Sequence, residues 1–432
     1  MRGSRALAVT ACVLLFAAGS SAVTRSGTAA GLPPADRPCA LRAAPGTAMS
    51  EGFGGGGHDF AAATGEVRAL TLMVDFPDKR APYPAEERYR EFFPAVRQWF
   101  HRASYGRLRY ASTPVLRWIR MPRPFSAYGI GRGYGWNAHT AMMRDLLRVA
   151  DKAVDFSGYS LVNVLVTPNA GPPADQAVLS VTWTGAAAAT TDDGARLDRV
   201  SLIYGHDQSG ARVLSHENGH AFGLPDLYSV DEFGRTDRLA GQWDSMSLDW
   251  GLQGDLFAWH KWRLGWLDDA QILCVRDATT HLVRLSPVEV AGGRKAVVVP
   301  LGRTSAYVVE ARAARGNDVE ACREGVLVYR IRTDVDSGHG PVTVRDAHPA
   351  TGACEYSSAS FNSLNDAPFR PGEHFADPAS GLTVEVLAHD RDDDGWTVRV
   401  TNRHPWRTEK GGAERAVAHT TTGALRREDA RR

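Results

Sequence analysis

The segment VLSHENGHAFGLPDLYS, residues 213–229, carries two histidines, a glutamate and an aspartate in one short stretch. His216 and His220 are four residues apart. On a helix their side chains would therefore project from the same face, one turn apart. Glu217 directly follows the first histidine. This H-E-x-x-H arrangement predicts that both imidazoles bind zinc, with the glutamate outside the metal shell as the general base for a zinc-bound water.

A zinc site with two histidines needs a third protein ligand, and the residues after His220 indicate where it comes from. Gly223 can adopt the left-handed conformation that ends a helix, and Pro225 prevents the helix from continuing. We therefore expect the chain to reverse and Asp226 to return its carboxylate to the ion. A role for Asp226 in orienting a histidine is the alternative. The nearest competing carboxylates are Asp231, Asp237 and Asp244.

The whole pattern, H-E-x-x-H-x-x-G-x-x-D, has the spacing of metzincin-type zinc sites with aspartate in place of the last histidine. Met246 follows Asp226 by twenty residues, among small and turn-forming residues. We predict a Met-turn whose thioether lies beneath the metal ligands, with a plain core methionine as the alternative. Leu248 stands where many metzincins have a tyrosine. Tyr228 is the candidate oxyanion stabiliser instead, with packing as its alternative role.

Composition and the N-terminus limit the functional classes. Of 432 residues, 43% are hydrophobic and 23% charged, and the formal net charge of +1 provides no field that would attract nucleic acid. Residues 1–22 have the features of a secretory signal peptide, with a retained signal anchor as the alternative. No later stretch is apolar enough to span a membrane. We expect a secreted, extracellular, monomeric protein without nucleic-acid partners.

Four cysteines follow the signal segment, at positions 39, 274, 322 and 354. An even number in an exported protein predicts two disulfides, for which three pairings are possible. We prefer Cys322 with Cys354, because both lie in the C-terminal region and close a modest loop. That choice leaves Cys39 for Cys274. The alternative for Cys39 is a thiolate that caps zinc in a latent form.

The pattern of apolar residues predicts an α+β fold in two parts. Over residues 66–270, buried strands such as VRALTLMVDF (67–76) alternate with amphipathic helices, which indicates a metzincin-like catalytic domain with a mixed sheet and an active-site helix. Short apolar or alternating runs over 271–402 indicate a β-sandwich-like domain. Residues 23–65 are interpreted as a leader or short propeptide, and 403–432 as a disordered charged tail.

A second, calcium-like pattern lies between the last two predicted strands. The segment HDRDDDGW resembles the first half of a calcium-binding loop, but Thr401 stands where that loop needs its final glutamate. A hairpin turn is the preferred interpretation, and a calcium ion is the alternative. The aspartates concerned are Asp390, Asp392 and Asp394.

Several segments together resemble the immune inhibitor A family of secreted bacterial zinc metallopeptidases. The resemblance extends from about residue 66 to about residue 400, although the leader is short for this family. It implies a zinc-dependent endopeptidase that hydrolyses extracellular proteins, with His216, His220 and Asp226 as ligands and Glu217 as base. The matching segments are HENGHAFGLPDLY, GQWDSMS, AWHKWRLGWL, LTLMVDFPD, WFHRASYGRL and YVVEARAARGNDVEACREGVLVYRI.

Two other functions stay open at this point. One is a secreted binding or adhesion protein whose metal site is only structural. The other is a zinc amidase that acts on a non-protein substrate with the same site chemistry. Glu217 favours an enzyme, because a structural metal site needs no base beside an open coordination position.

Overall fold

The computed structural model describes residues 37–54, 60–131, 139–170, 180–206, 210–349, 351–354 and 361–406, with the backbone alone at 186–188. The predicted signal peptide, the beginning of the leader and most of the charged tail lie outside these residues. No helix within the described ranges is long and apolar enough to cross a membrane. The fold mixes three β-sheets with a few short helices.

The first sheet occupies the N-terminal half of the chain. Its strands are β1 (Gly65–Asp75), β2 (Leu108–Arg120), β3 (Leu161–Val166), β4 (Val181–Thr190) and β5 (Arg196–Ile203). They lie in the order β2-β1-β3-β5-β4. The pairs β1–β2, β1–β3 and β3–β5 are parallel, whereas β4 runs antiparallel to β5. The sheet is therefore mixed, as predicted, and β4 forms one of its edges.

Helices cover both faces of this sheet, which explains why its central strands are continuously apolar. The helices are α1 (Ala85–Arg90), α2 (Ala95–Ala103), α3 (Thr140–Ala150), α4 (Arg212–Ala221) and α5 (Ala258–Arg263). Met73 of β1 shares a core with Phe100 of α2 and Leu214 of α4. The next residue, Val74, points to the opposite face and packs with Leu146 of α3.

Two further sheets form the C-terminal half. The second contains β6 (Ile272–Cys274), β8 (Ala296–Pro300), β9 (Ser305–Arg312), β10 (Gly325–Arg332) and β11 (Val342–Arg345), in the order β11-β10-β9-β8-β6. The third contains β7 (Thr280–Leu285), β12 (His374–Asp377), β13 (Leu382–Asp390) and β14 (Gly395–Asn402), in the order β12-β13-β14-β7. Val309 and Val398 belong to the core that these two sheets share.

The second sheet is buried on both faces and joins the two halves of the chain. Val308 of β9 and Leu327 of β10 belong to the same core as α4, α5 and one face of the first sheet. The neighbouring residues on these strands face the third sheet instead. The alternation of side chains along a strand thus places one sheet between two hydrophobic cores. A division into two domains near residue 270 stays a prediction.

Residues of the predicted leader pack into this core. Phe53 makes edge-to-face contacts with Trp259 and Trp262 of α5, at ring-centroid distances of 5.1 and 4.6 Å. The Glu51 carboxylate is fully buried, with its Oε1 2.8 Å from Nε2 of His260. Cys39 and Leu41 of this segment are buried in the same core.

Both preferred disulfides are confirmed. Cys39 is bonded to Cys274, and Cys322 to Cys354, with Cα–Cα distances of 5.7 and 6.2 Å. The first bond ties the N-terminal segment to β6. Because the sulfur of Cys39 is in this bond, the alternative of a Cys39 thiolate on zinc is wrong for this structure.

Candidate metal centre

The polar side chains of α4 lie inside the protein rather than on a solvated face. Residues 213–221 are all buried. Asn218 is one of these buried polar residues, and hydrogen bonds compensate its burial. Its Nδ2 donates to Asn163 Oδ1 on β3 and to Ser201 Oγ on β5, each at 3.0 Å. Its Oδ1 accepts from Tyr110 OH on β2 at 2.6 Å. These bonds fix the helix beneath three strands of the first sheet.

The helix ends with the reversal that the sequence predicts. Gly223 has φ +90°, in the left-handed region that favours glycine. Its N–H donates to His220 O at 2.8 Å, and the next N–H, of Leu224, donates to Gly219 O at 3.0 Å. This pair of bonds is the Schellman motif. A Cβ on Gly223 would also lie 2.8 Å from the ring of Phe60, so the position has no room for a side chain.

The reversal brings Asp226 back to the two histidines. Its Oδ1 lies 3.2 Å from Nε2 of His216 and 3.1 Å from Nε2 of His220. The donor atoms of the three residues lie within 4.8 Å of one another. Asp226 Oδ1 is buried and makes no well-aligned hydrogen bond. A buried carboxylate oxygen between two imidazole nitrogens fits a cation, and the set of two nitrogens and one oxygen suits zinc.

Backbone carbonyls orient both imidazoles. His216 Nδ1 lies 2.7 Å from Ser245 O, and His220 Nδ1 lies 2.8 Å from Leu224 O. Because a carbonyl oxygen only accepts, each Nδ1 carries a proton in this arrangement. Each Nε2 is therefore the ring nitrogen that faces Asp226, and it can bind a metal ion once it has lost its proton, as in metal-binding histidines.

The electrostatics of the three groups show how strongly they attract one another. Burial lowers the pKa of His216, but the nearby Asp226 carboxylate reverses this effect and raises it to about 10. The pKa of His220 is raised for the same reason. Burial would raise the pKa of Asp226, yet the two histidines hold it well below its usual range. A divalent cation would supply the same positive charge at this point.

Glu217 follows His216 in the chain, but its carboxylate is not among the side chains whose donor atoms converge. Its side chain is buried, and its Oε2 accepts a hydrogen bond from Thr182 Oγ1 of β4 at 2.6 Å. Burial raises the pKa of Glu217 and outweighs the opposing charges of His220 and His216. Thr182 was not identified from the sequence, since it lies 35 residues away in a strand that the apolar pattern did not predict.

Met246 packs directly against α4, as the predicted Met-turn requires. A Cβ on Gly219 would lie 2.5 Å from Met246 Sδ, so the helix needs glycine where the thioether contacts it. Leu227 N–H also donates to Met246 O at 2.9 Å. The sequence contained a signal for this contact, because glycine inside a helix costs about 1 kcal/mol and indicates close packing. A role of Met246 in the metal site stays a prediction.

Ser337 is a second residue that sequence reasoning missed. Its Oγ accepts from Asp226 N at 2.9 Å and donates to Asp226 Oδ2 at 3.1 Å. Gly338 N–H donates to Asp226 O at 3.1 Å, and Ser337 N–H donates to Met49 O at 2.8 Å. The turn after β10 therefore holds Oδ2 of Asp226 and leaves Oδ1 facing the histidines.

Replacing Ser337 with alanine is expected to lower the affinity for zinc about 10- to 100-fold, since the Asp226 carboxylate loses the hydrogen bond that fixes its orientation. Zinc dissociation constants measured by chelator competition test this. Ser337→Thr keeps a hydroxyl and should restore most of the affinity. Ser363→Ala is the matched control, because Ser363 bonds the carboxylate of Asp237 instead. An unchanged affinity in Ser337→Ala would show that the turn does not position Asp226.

The competing carboxylates are engaged elsewhere. Asp231 Oδ2 pairs with His339 Nδ1 at 2.9 Å, and Asp237 binds Ser363. Asp244 Oδ2 lies 2.8 Å from His260 Nδ1. None of these three belongs to the group formed with the motif histidines.

Tyr228 lies against one side of the candidate site. Its ring stacks on the His216 ring, with centroids 6.4 Å apart and planes 12° from parallel. Burial raises the pKa of Tyr228 well above its ordinary value, and the charges of Asp226 and Glu217 raise it further. The phenol is therefore a proton donor at neutral pH. Both packing and oxyanion stabilisation remain open for it.

The calcium-like pattern forms a hairpin turn between β13 and β14. Asp390 pairs with Gly395 across the hairpin. Arg284 binds the Asp390 carboxylate at 3.0 Å, and Arg315 binds that of Asp394 at 2.5 Å. In the described parts of the chain, this hairpin is not among the places where three metal-binding side chains converge.

Comparison with protein-family models and with curated proteins finds no match to this sequence. The resemblance to the immune inhibitor A family therefore stays a prediction that depends on the motifs.

Proposed function

We propose that this protein is a secreted zinc-dependent endopeptidase of the metzincin type, similar to the immune inhibitor A family. One observation carries the proposal. Nε2 of His216 and Nε2 of His220 converge on Oδ1 of Asp226, while the Glu217 carboxylate lies beside them and outside their group. A structural zinc site is usually closed by four protein ligands, whereas a catalytic site has three and keeps one position open.

In this proposal His216, His220 and Asp226 hold the zinc ion, and Glu217 moves protons. A bound zinc ion polarises a carbonyl group and lowers the pKa of water. Glu217 accepts the proton that the attacking water loses and passes it to the departing amine. Thr182 orients the carboxylate through its bond to Oε2. Tyr228 is the candidate donor to the oxyanion.

The edge strand β4 favours a peptide over a non-protein substrate. Thr182 places β4 directly beside Glu217. Across the described chain, no strand pairs with the outer edge of β4. Backbone groups along an edge strand can bind an extended peptide as an additional strand. This supports an endopeptidase over an amidase with another substrate class. The two disulfides support an exported protein, because such bonds persist in oxidising compartments.

Removal of the metal tests the proposed activity. We expect the purified protein to hydrolyse casein, and dialysis against a strong chelator to abolish this hydrolysis, because the three ligands alone cannot activate water. Addition of one to two equivalents of Zn²⁺ should restore it. Calcium added alone should not.

Two results would contradict a zinc-dependent endopeptidase. Casein hydrolysis that survives removal of zinc would rule out the metal mechanism. Zinc binding without hydrolysis of casein or of a peptide library would favour the binding protein or the amidase, and an assay with acylated amines would then distinguish those two.

A further inference from the structure

A second group of metal-binding side chains lies outside the centre described above. Asp346 and His348 follow β11, and Asp366 comes from the segment that precedes β12. One donor atom from each of the three residues lies within 4.8 Å of the others. In the described part of the chain, this group and the His216–His220–Asp226 group are the two places where such side chains converge.

The two ring nitrogens of His348 face different groups. Its Nδ1 lies 2.5 Å from the backbone carbonyl oxygen of Asp366. Because this oxygen can only accept a hydrogen bond, Nδ1 carries a proton. Its Nε2 lies 3.1 Å from Glu373 Oε1, so a cation bound through Nε2 would take the place of this contact. The turn is fixed further by His348 N–H, which donates to Asp346 Oδ1 at 2.8 Å.

Asp366 supplies an independent indication of a missing positive partner. Its side chain is only 2% exposed. One oxygen, Oδ2, accepts from Thr351 Oγ1 at 2.7 Å, whereas Oδ1 is buried without a hydrogen-bond partner. An unpaired carboxylate oxygen in the interior is unfavourable unless a cation or a donor compensates it.

We propose that Asp346, His348 and Asp366 bind a second divalent cation. Two carboxylates with one imidazole favour a transition-metal ion such as Zn²⁺ or Mn²⁺ over Ca²⁺, which takes oxygen ligands. Bonds of about 2.1 Å to one ion would hold the three donor atoms about 3 to 4 Å apart.

The position of this site indicates a structural role. Asp366 lies two residues after Leu364. The carbonyl of Leu364 accepts a hydrogen bond of 2.6 Å from Nε1 of Trp243, which lies three residues before Met246. Phe361 lies five residues before Asp366, and its ring packs on that of Phe233 with centroids 5.3 Å apart. The Phe233 ring in turn packs on that of Tyr228, with centroids 5.8 Å apart. The second cation would therefore fix the loop that supports one side of the catalytic centre. Its binding does not depend on the proposed peptidase activity.

Metal counting by native mass spectrometry tests the proposal. Metal-depleted full-length protein is titrated with Zn²⁺, and wild type is expected to bind two ions. Asp366→Asn should bind one ion, and His216→Ala should also bind one. Combining the two changes should leave none. Asp334→Asn should bind two, because this exposed carboxylate lies outside the group and pairs with the nearby Arg332.

Thermal unfolding provides a second readout. Zn²⁺ should raise the unfolding temperature of His216→Ala, whose remaining site is the second one, and should not raise that of the doubly changed protein. If Asp366→Asn fails to fold, Asp346→Asn replaces it, since Asp346 is only half-buried. If wild type bound a single ion and His216→Ala bound none, the proposal would be overturned. Binding of Ca²⁺ but not Zn²⁺ at a site that depends on Asp366 would contradict His348 as a ligand, because Ca²⁺ takes oxygen ligands.

Discussion

Replacing Glu217 with glutamine is expected to lower kcat/KM for peptide hydrolysis by about 10²- to 10⁴-fold, the usual contribution of a general acid–base group. The amide is close in shape to the carboxylate and can still accept the bond from Thr182, but it cannot take a proton from water. The zinc content should equal that of wild type, because Glu217 lies outside the ligand group. Steady-state kinetics and metal analysis on the same preparation provide both numbers.

Two comparisons make this result specific to proton transfer. Glu66→Gln removes an exposed carboxylate on β1 and should leave kcat/KM unchanged. Thr182→Val removes the bond to Glu217 and should lower activity less than Glu217→Gln does, without loss of zinc. A Glu217→Gln enzyme with wild-type kcat/KM would mean that another group accepts the proton.

Replacing Asp226 with alanine is expected to remove the catalytic zinc as well as the activity. The two histidines alone provide too few ligands. The affinity for zinc should therefore fall by more than about 100-fold, which is the largest loss usually caused by removing a residue that only supports a metal ligand. Metal analysis after dialysis should then show one zinc fewer than in wild type. Casein hydrolysis should fall to the background of the chelator-treated protein.

The matched variant for this experiment is Asp231→Ala. Asp231 lies five residues further along and pairs with His339 on the surface, so its removal should change neither zinc content nor activity. Asp226→Asn keeps the size of the side chain and should still lose most of the affinity. An Asp226→Ala protein with full zinc content would show that another residue is the third ligand.

The arrangement of the motif could be predicted because it is local. Helical spacing fixes His216 relative to His220, and Gly223 with Pro225 fixes the point of reversal. The two backbone bonds of the Schellman motif, from Gly223 to His220 and from Leu224 to Gly219, connect residues close in sequence. Local backbone geometry was therefore sufficient to identify Asp226 ahead of its competitors.

The residues that orient the site could not be predicted, because their contacts are distant in sequence. Thr182 is 35 residues from Glu217, and Ser337 is 111 residues from Asp226. The strand that carries Thr182 is rich in alanine, which has low strand propensity, and it forms through pairing with β5. No periodicity in the sequence indicates such pairing.

The two halves of the fold were also less separable than the sequence suggested. The change from helical to alternating patterns near residue 270 is real, since α5 is followed only by strands and short 3₁₀ turns in the described residues. Yet Ser337 reaches Asp226 from the C-terminal half. Glu51 reaches His260 from the N-terminal segment. Patterns along the chain report which face of a strand is buried but not which element covers it.

A crystal structure of the zinc-loaded protein, with the ion located by its anomalous scattering, tests the central claim most directly. We predict a zinc ion about 2.0 to 2.2 Å from Nε2 of His216, Nε2 of His220 and an oxygen of Asp226, with Glu217 outside the coordination shell and one position open. A zinc ion bound elsewhere, or one closed off at this site by a fourth protein ligand, would contradict the account.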